Sequence, residues 1–324
     1  MNSFGRHFQI TLSGSSHSPL IGLTINGCPA GIALDTQAFE YDITRRKPGA
    51  PGTTSRIESD SPQIESGCEN GYTTGDTIRI VFENKNIRPQ DYEPFKTQPR
   101  PGHADWVARQ KYGDTYDLNG GGIFSGRLTL PLVAAGVVAK RLLQHKHPNI
   151  EISARLLEAG GNKDFEAAIQ AAQESGDSIG GIIECRAVQL PVGWGAPFFN
   201  SIESNISHIV FSIPGIKGIE FGAGFAAARM RGSEHNDRYI DAQGHTATNH
   251  AGGINGGITN GNELIFRIAA KPTPGIARAQ ETFDFAANKM APLIIKGRHD
   301  VCFALRLPVV IEAVTAIALA DFIC

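Results

Sequence analysis

Residues 100–127 read RPGHADWVARQKYGDTYDLNGGGIFSGR, and the rest of the chain is organised around them. His103 stands two residues before Asp105, three glycines run from Gly120 to Gly122, and Arg100 and Arg127 close the two ends. Histidine moves a proton near neutral pH. Consecutive glycines let backbone approach a ligand closely. Arginine grips phosphate or carboxylate with two parallel N–H groups. Together these point to acid–base chemistry on a small anionic molecule.

Composition sets the bounds. The 324 residues are 41% hydrophobic and 19% charged, enough for a large core in one big domain or two. A net charge of −2 gives no basic excess for nucleic acid or an anionic membrane, so an anion site has to be local. The 37 glycines show no fixed period and gather in a few loops, against a collagen-like or solenoid fold. The five cysteines are scattered and include no CxxC pair, so neither a disulfide framework nor a metal site is expected. The N-terminal residues lack a basic-then-apolar signal, and no apolar run is read as reaching the ~18 residues of a membrane span. A reducing cytoplasm is the expectation.

Outward from the opening stretch, alternation and β-rich composition predict strands at 7–13, 20–26, 78–83, 179–189, 209–213 and 263–270. Helices are predicted at 35–46, 128–145, 163–175, around 198–209, and at the C-terminal run 307–323. Lys140 and Arg141 suit the C-terminal end of their helix. His17 sits in a turn of small residues, GSSHSP. Residues 249–261, NHAGGINGGITNG, suit either close backbone approach to a ligand or a tight hairpin. The sequence KPTPG at 271–275 is a cationic turn, and GRHD at 297–300 a compact acid–base cluster. Gly222, Gly224 and Ala227 form half of a dinucleotide fingerprint, without the βαβ unit that would support it. With no proline-rich or charged linker, residues 1–324 read as one α/β unit with many functional loops.

Taken in order, RRKPG, TTSRIESDSPQIESGCENGYTTGDTI, NKNIRPQDY, RPGHADWVARQKYG, NGGG, GAGFAAARMRGSEHND, NHAGGINGGITNG, KPTP, GRHD and LPVVIEAVTAIALAD resemble the chorismate synthase family. The resemblance covers nearly the whole chain. It implies a single large βαβ-sandwich domain, typically assembled as a homotetramer. It implies a lyase that converts 5-enolpyruvylshikimate 3-phosphate to chorismate and phosphate by 1,4-trans elimination. Reduced FMN is required although there is no net redox change. On the matching positions, His17 and His103 are the family's two histidines, proposed to protonate the flavin and the leaving-phosphate region. Asp300 is the aspartate linked with removal of the ring proton. Arg46 and Arg127 fall on the substrate side. Ser125, Pro214, Gly215, Gly256, Lys271, Pro272, Thr273, Pro274, Gly275 and Arg298 correspond to flavin contacts.

The chain departs from the family pattern at several of these loops. Ser15 and Ser18 replace a glutamate and a glycine beside His17, and Gly52 replaces an arginine. Ile123 and Phe124 follow the triple glycine where the family has arginine and serine. Leu128 and Leu132 replace a glutamate and an arginine, and Gly275 stands where a serine or threonine can end the flavin turn. Two or three lost arginine contacts would weaken binding of a trianionic substrate by roughly 3–9 kcal/mol. These departures motivate a second reading, an impaired or repurposed ligand-binding paralogue. A third, a nicotinamide-dependent dehydrogenase, rests only on the Gly222 motif.

Overall fold

A computed structural model describes residues 2–86, 89–113, 116–117, 119–295, 297 and 299–323. Alternation builds its first sheet. Along Gln9–Ser13, Leu20–Asn26 and Ile78–Glu83 apolar residues recur at every second position, so one face of each strand is buried. The antiparallel register aligns Ile10, Ile25 and Ile78 in one row and Leu12, Leu23 and Ile80 in the next. Ser3–Phe4 and Gln63–Ser66 form the edges of this five-stranded sheet.

The second sheet has four antiparallel strands in the order Ile216–Phe221, Leu264–Ala270, Gly181–Val188, Glu151–Ala159. Leu264, Phe266 and Ile268 lie opposite Ala187, Cys185 and Ile183, and burial alternates along the strand.

Two long helices lie between the sheets. Thr129–Lys146 packs on the first sheet, Leu307–Ala320 on the second, and the helices pack on each other. The result is a four-layer β-α-α-β sandwich, an α/β fold. Both helices are apolar nearly all round because both sides are covered. They approach closely at Gly136, where a Cβ would fall 2.3 Å from that of Ala313. Phe303–Ala320 has the length and hydropathy (1.9) of a membrane span, contrary to the expectation that no run reaches that length, but it is 83% buried in this core.

One polar cluster crosses the helical layers. The Arg45 guanidinium meets both Glu312 carboxylate oxygens at 2.7 Å, and Lys140 bridges Asp42 (2.7 Å) and Glu312 (3.2 Å). Lys140 therefore bonds side chains of neighbouring helices rather than its own helix end. The short helix Glu40–Arg46, preceded by a 3-10 turn that Asp35 caps, is held by these pairs, and its last residue is delivered toward the loops.

One element differs from expectation, and others were not anticipated. Residues 209–213 form no strand, because the helix Ile202–Val210 runs through their first half with Ile206, Ile209 and Val210 buried. Glu151–Ala159 is a strand although its sequence, EISARLLEA, favours helix, because pairing with Gly181–Val188 overrides local propensity. The hairpin Gln280–Asp284 with Lys289–Leu293 was also not foreseen.

Candidate active site

The loops at one end of the sandwich enclose a cleft of about 500 Å³. Its walls come from residues 46–60, 92–104, 120–127, 211–217, 271–275 and 299–306. Of the expected site residues, His103, Asp300, Arg46, Arg127, Ser125, Pro214, Gly215 and the turn 271–275 all line it. Arg298 lies outside the described residues.

Two expected residues sit elsewhere. His17 packs behind the wall, its ring edge-on to Tyr92 at 5.1 Å and its Nδ1 3.2 Å from the Ser16 hydroxyl; Ser16 is the residue that lines the cleft. Gly256 is exposed at the turn of the hairpin Ile254–Asn255 with Ile258–Thr259, away from the cleft walls. There Gly256 and Gly257 adopt φ of 60° and 85°, as a two-residue hairpin turn requires, so this glycine-rich stretch is a hairpin.

The triple glycine brings the chain between the two histidines. Gly120, Gly121 and Gly122 have φ of 62°, 85° and 55°. A Cβ at Gly120 would lie 2.3 Å from the His17 ring, and one at Gly121 would lie 3.2 Å from His103 Nε2. The backbone's close approach is thus to the two imidazoles.

His103 is pinned from behind. Its Nδ1 lies 2.7 Å from Asp105 Oδ1 and 3.1 Å from Arg100 Nη2. Asp105 in turn accepts a two-pronged bond from the Arg100 side chain, at 2.8 and 2.7 Å. Burial pulls the Asp105 carboxyl upward, but the Arg100 and His103 bonds outweigh it and hold the group well below the usual carboxylate range. Burial, reinforced by the Arg100 charge, lowers the His103 pKa against the pull of Asp105, so the ring is neutral at pH 7. The shorter carboxylate contact places the proton on Nδ1 and leaves Nε2 toward Gly121.

Cations crowd the same cleft. Arg46 is 2% exposed, and it donates to Thr129 Oγ1 (3.0 Å), the Gly126 carbonyl (3.1 Å) and Asp60 (3.5 Å). Burial, then the Arg306 charge, pushes its pKa well below the ordinary arginine value. Arg127 pairs with Asp60 through Nη1 and donates from Nε to Asn84 Oδ1 (2.9 Å). Asp60, buried and held at φ 53°, thus serves two arginines at once. Arg306 meets Asp300 at 3.1 Å, and the Thr54 N–H donates to the same carboxylate at 2.9 Å. Lys271 donates to the Gly102 carbonyl, and burial together with Lys217 lowers its pKa.

Six buried side-chain nitrogen or oxygen atoms lack a hydrogen-bond partner among the described residues, and three of them belong to residues that line this cleft: Arg127 Nη2, Thr273 Oγ1 and His299 Nε2. Buried polar groups are normally paired, so unpaired ones gathered in one cavity mark where a ligand goes. Asp60, Arg56 and Arg306 were not among the site residues expected from sequence, and His299 entered only as part of the acid–base cluster 297–300. Asp60 and Arg56 could have been, as an acid and a base inside the loop 45–60; Arg306 precedes a buried helix and gives no local signal. No group of three or more histidine, cysteine or acidic side chains placed to hold a metal occurs among the described residues.

Several departures from the family pattern lie away from the cleft walls. Leu132 is core, and Leu128 is buried. The Gly52 carbonyl accepts from Val301 and Cys302, and a Cβ there would meet Ile169 at 2.3 Å. Ser18 closes its own turn through bonds to the 15 and 20 carbonyls. Ile123, Phe124 and Gly275 do line the cleft, and Phe124 packs with Tyr112 and Tyr116.

Neutral imidazole, paired carboxylate and surplus guanidinium on one cavity define an enzyme site that does acid–base work on a small, multiply anionic molecule. Comparison with known proteins is specific: the chain belongs to the chorismate synthase family, whose model matches residues 8–324. It is 57% identical to a chorismate synthase of Chitinophaga pinensis, over 99% of this chain and 96% of that one. It is 42% identical to a chorismate synthase of Korarchaeum cryptofilum, again over 99% and 96%. A crystal structure of chorismate synthase superposes with a TM-score of 0.76 at 26% identity, covering 98% of this chain and 92% of that one. The chain is therefore a lyase of the shikimate pathway, and these likenesses do not favour the repurposed reading.

Proposed function

We propose that the cleft is where this lyase removes phosphate from 5-enolpyruvylshikimate 3-phosphate, within a single domain spanning the chain. The observation that carries the assignment is Arg127 Nη2, a buried guanidinium nitrogen without a partner among the described residues, beside Arg46 and with one shared carboxylate between the two arginines. Two cations against Asp60 leave one positive charge uncompensated, and a trianionic substrate supplies the counter-charge. Arg46 itself is committed to protein partners, so its role is to hold residues 126–129 and the local field, while Arg127 touches the anion. Lys271 and Lys217 also line the cleft, for a second anionic group.

In the elimination a ring C–H proton leaves, the C–O bond to phosphate breaks, and the electron pair becomes a new double bond. Asp300, anchored by Thr54 and Arg306, has the remaining lone pairs to accept a proton. Burial and the Arg100 charge keep His103 neutral; a bound phosphate raises its pKa, and it can then pass a proton to the departing group. Reduced FMN, when bound, lends electron density as the phosphate departs. The walls suit a flavin: Ile123, Phe124 and Phe303 offer apolar faces, and Thr273 Oγ1 and His299 Nε2 offer unpaired polar atoms. Ser125, Pro214, Gly215 and residues 271–275 are the contacts proposed for it. A homotetramer in the cytoplasm completes the proposal; the exposed Phe198 (84%) and Phe199 (91%) support self-association.

Arg127→Ala tests the assignment. A lost hydrogen bond to a charged group costs about 1.5–3 kcal/mol, so the substrate KM is expected to rise about 10–100-fold. An unchanged KM in folded variant contradicts it.

A further inference from the structure

His299 is not among the residues the family resemblance assigns, yet it is one of the residues that line the cleft. Two glycines seat the ring. A Cβ at Gly275 would fall 2.7 Å from its Cγ, and one at Gly297 would fall 2.7 Å from its Nε2. Its Nε2 is buried without a partner among the described residues, as is Thr273 Oγ1 on the adjoining turn. An atom left so is costly unless a ligand completes it.

The ligand's chemistry follows from the ring's state. Burial, then the charges of Arg100 and His103, push the His299 pKa down to about 4 against the pull of Asp300, so the ring is uncharged near neutrality. A neutral imidazole donates from one nitrogen and accepts at the other. It matches a neutral edge of alternating N–H and C=O groups better than a phosphate, which the arginine wall already serves.

We infer that His299 is a cofactor-binding residue whose Nε2, together with Thr273 Oγ1, hydrogen-bonds the polar edge of the flavin ring. This rests on the flavin reading of the cleft given above.

Titration of the full chain with oxidised FMN, followed by flavin fluorescence, and with reduced FMN under anaerobic conditions, tests the inference. His299→Phe keeps a ring against Gly275 and removes both nitrogens; His299→Gln restores a polar atom at similar reach. His299→Phe is expected to weaken FMN binding about tenfold, with His299→Gln recovering most of the loss. Calorimetric binding of inorganic phosphate should stay as in the wild type. If the Phe variant does not fold, His299→Leu takes its place. Wild-type FMN affinity in the folded Phe or Leu variant overturns the inference. So does a Gln variant no better than Phe, which would make the role packing, or a parallel loss of phosphate binding, which would make the contact anionic. Failure of the wild-type chain to bind FMN overturns the flavin reading and this inference together, whereas normal wild-type binding with an indifferent variant overturns the inference alone.

Discussion

Asp60 answers two arginines, and Asp105 answers one arginine and one histidine. The acids behind the cleft therefore decide what its bases and cations present to a ligand. His103 was legible because histidine, aspartate and arginine fall within six residues of one another. His299 was legible only as a member of the cluster 297–300, because its own role lies in an unpaired nitrogen and in two glycines that only folding brings to its ring. Its pKa gives a prediction with a definite sign. The free side chain titrates near ~6.5, and the folded one at about 4, so the unfolded chain takes the proton first. The stability this group contributes is complete above about pH 6.5 and is lost as the pH falls toward about 4. Urea midpoints measured across that window should fall more steeply for the wild type than for His299→Gln; parallel curves would refute the assignment.

Among the elements, strands of alternating or β-rich sequence, such as Leu20–Asn26 and Ile78–Glu83, were readable to the residue. Elements whose identity depends on partners were not. Glu151–Ala159 looks helical until it pairs, and 209–213 looks like a strand until its helix buries Ile209 and Val210. One contact between distant elements carries a testable energy. At the end of Leu307–Ala320, Asp321 Oδ1 accepts from the successive N–H groups of Arg6, His7 and Phe8 at 2.7, 2.6 and 2.9 Å. This ties the C-terminal helix to the segment before the strand Gln9–Ser13. Asp321→Ala leaves those donors without their acceptor and should cost roughly 2–4 kcal/mol by denaturant unfolding, with Asp321→Asn losing less. A change under about 0.5 kcal/mol would show that water replaces the carboxylate.

For the whole molecule, the α/β class and the order of functional loops could be read from the chain, but the doubling of the helical layer could not. Phe303–Ala320 illustrates why: an 18-residue stretch with only two charged residues fits a membrane or the middle of a sandwich equally well, and only the second helix and sheet packed around it decide. The same holds for the departures in the site loops. Read as lost arginines, Gly52 and Leu132 suggested an emptied site; folded, Gly52 pins a loop and Leu132 is core, and the cleft keeps Arg127 with an unpaired nitrogen. The central claim is that this substituted cleft still performs its family's elimination. It is tested most directly by anaerobic incubation of the wild-type chain with reduced FMN and 5-enolpyruvylshikimate 3-phosphate, following chorismate by absorbance and phosphate release in parallel. Chorismate and phosphate appearing in equal amounts over many turnovers is the predicted result; no chorismate above background from folded, flavin-binding protein would contradict it.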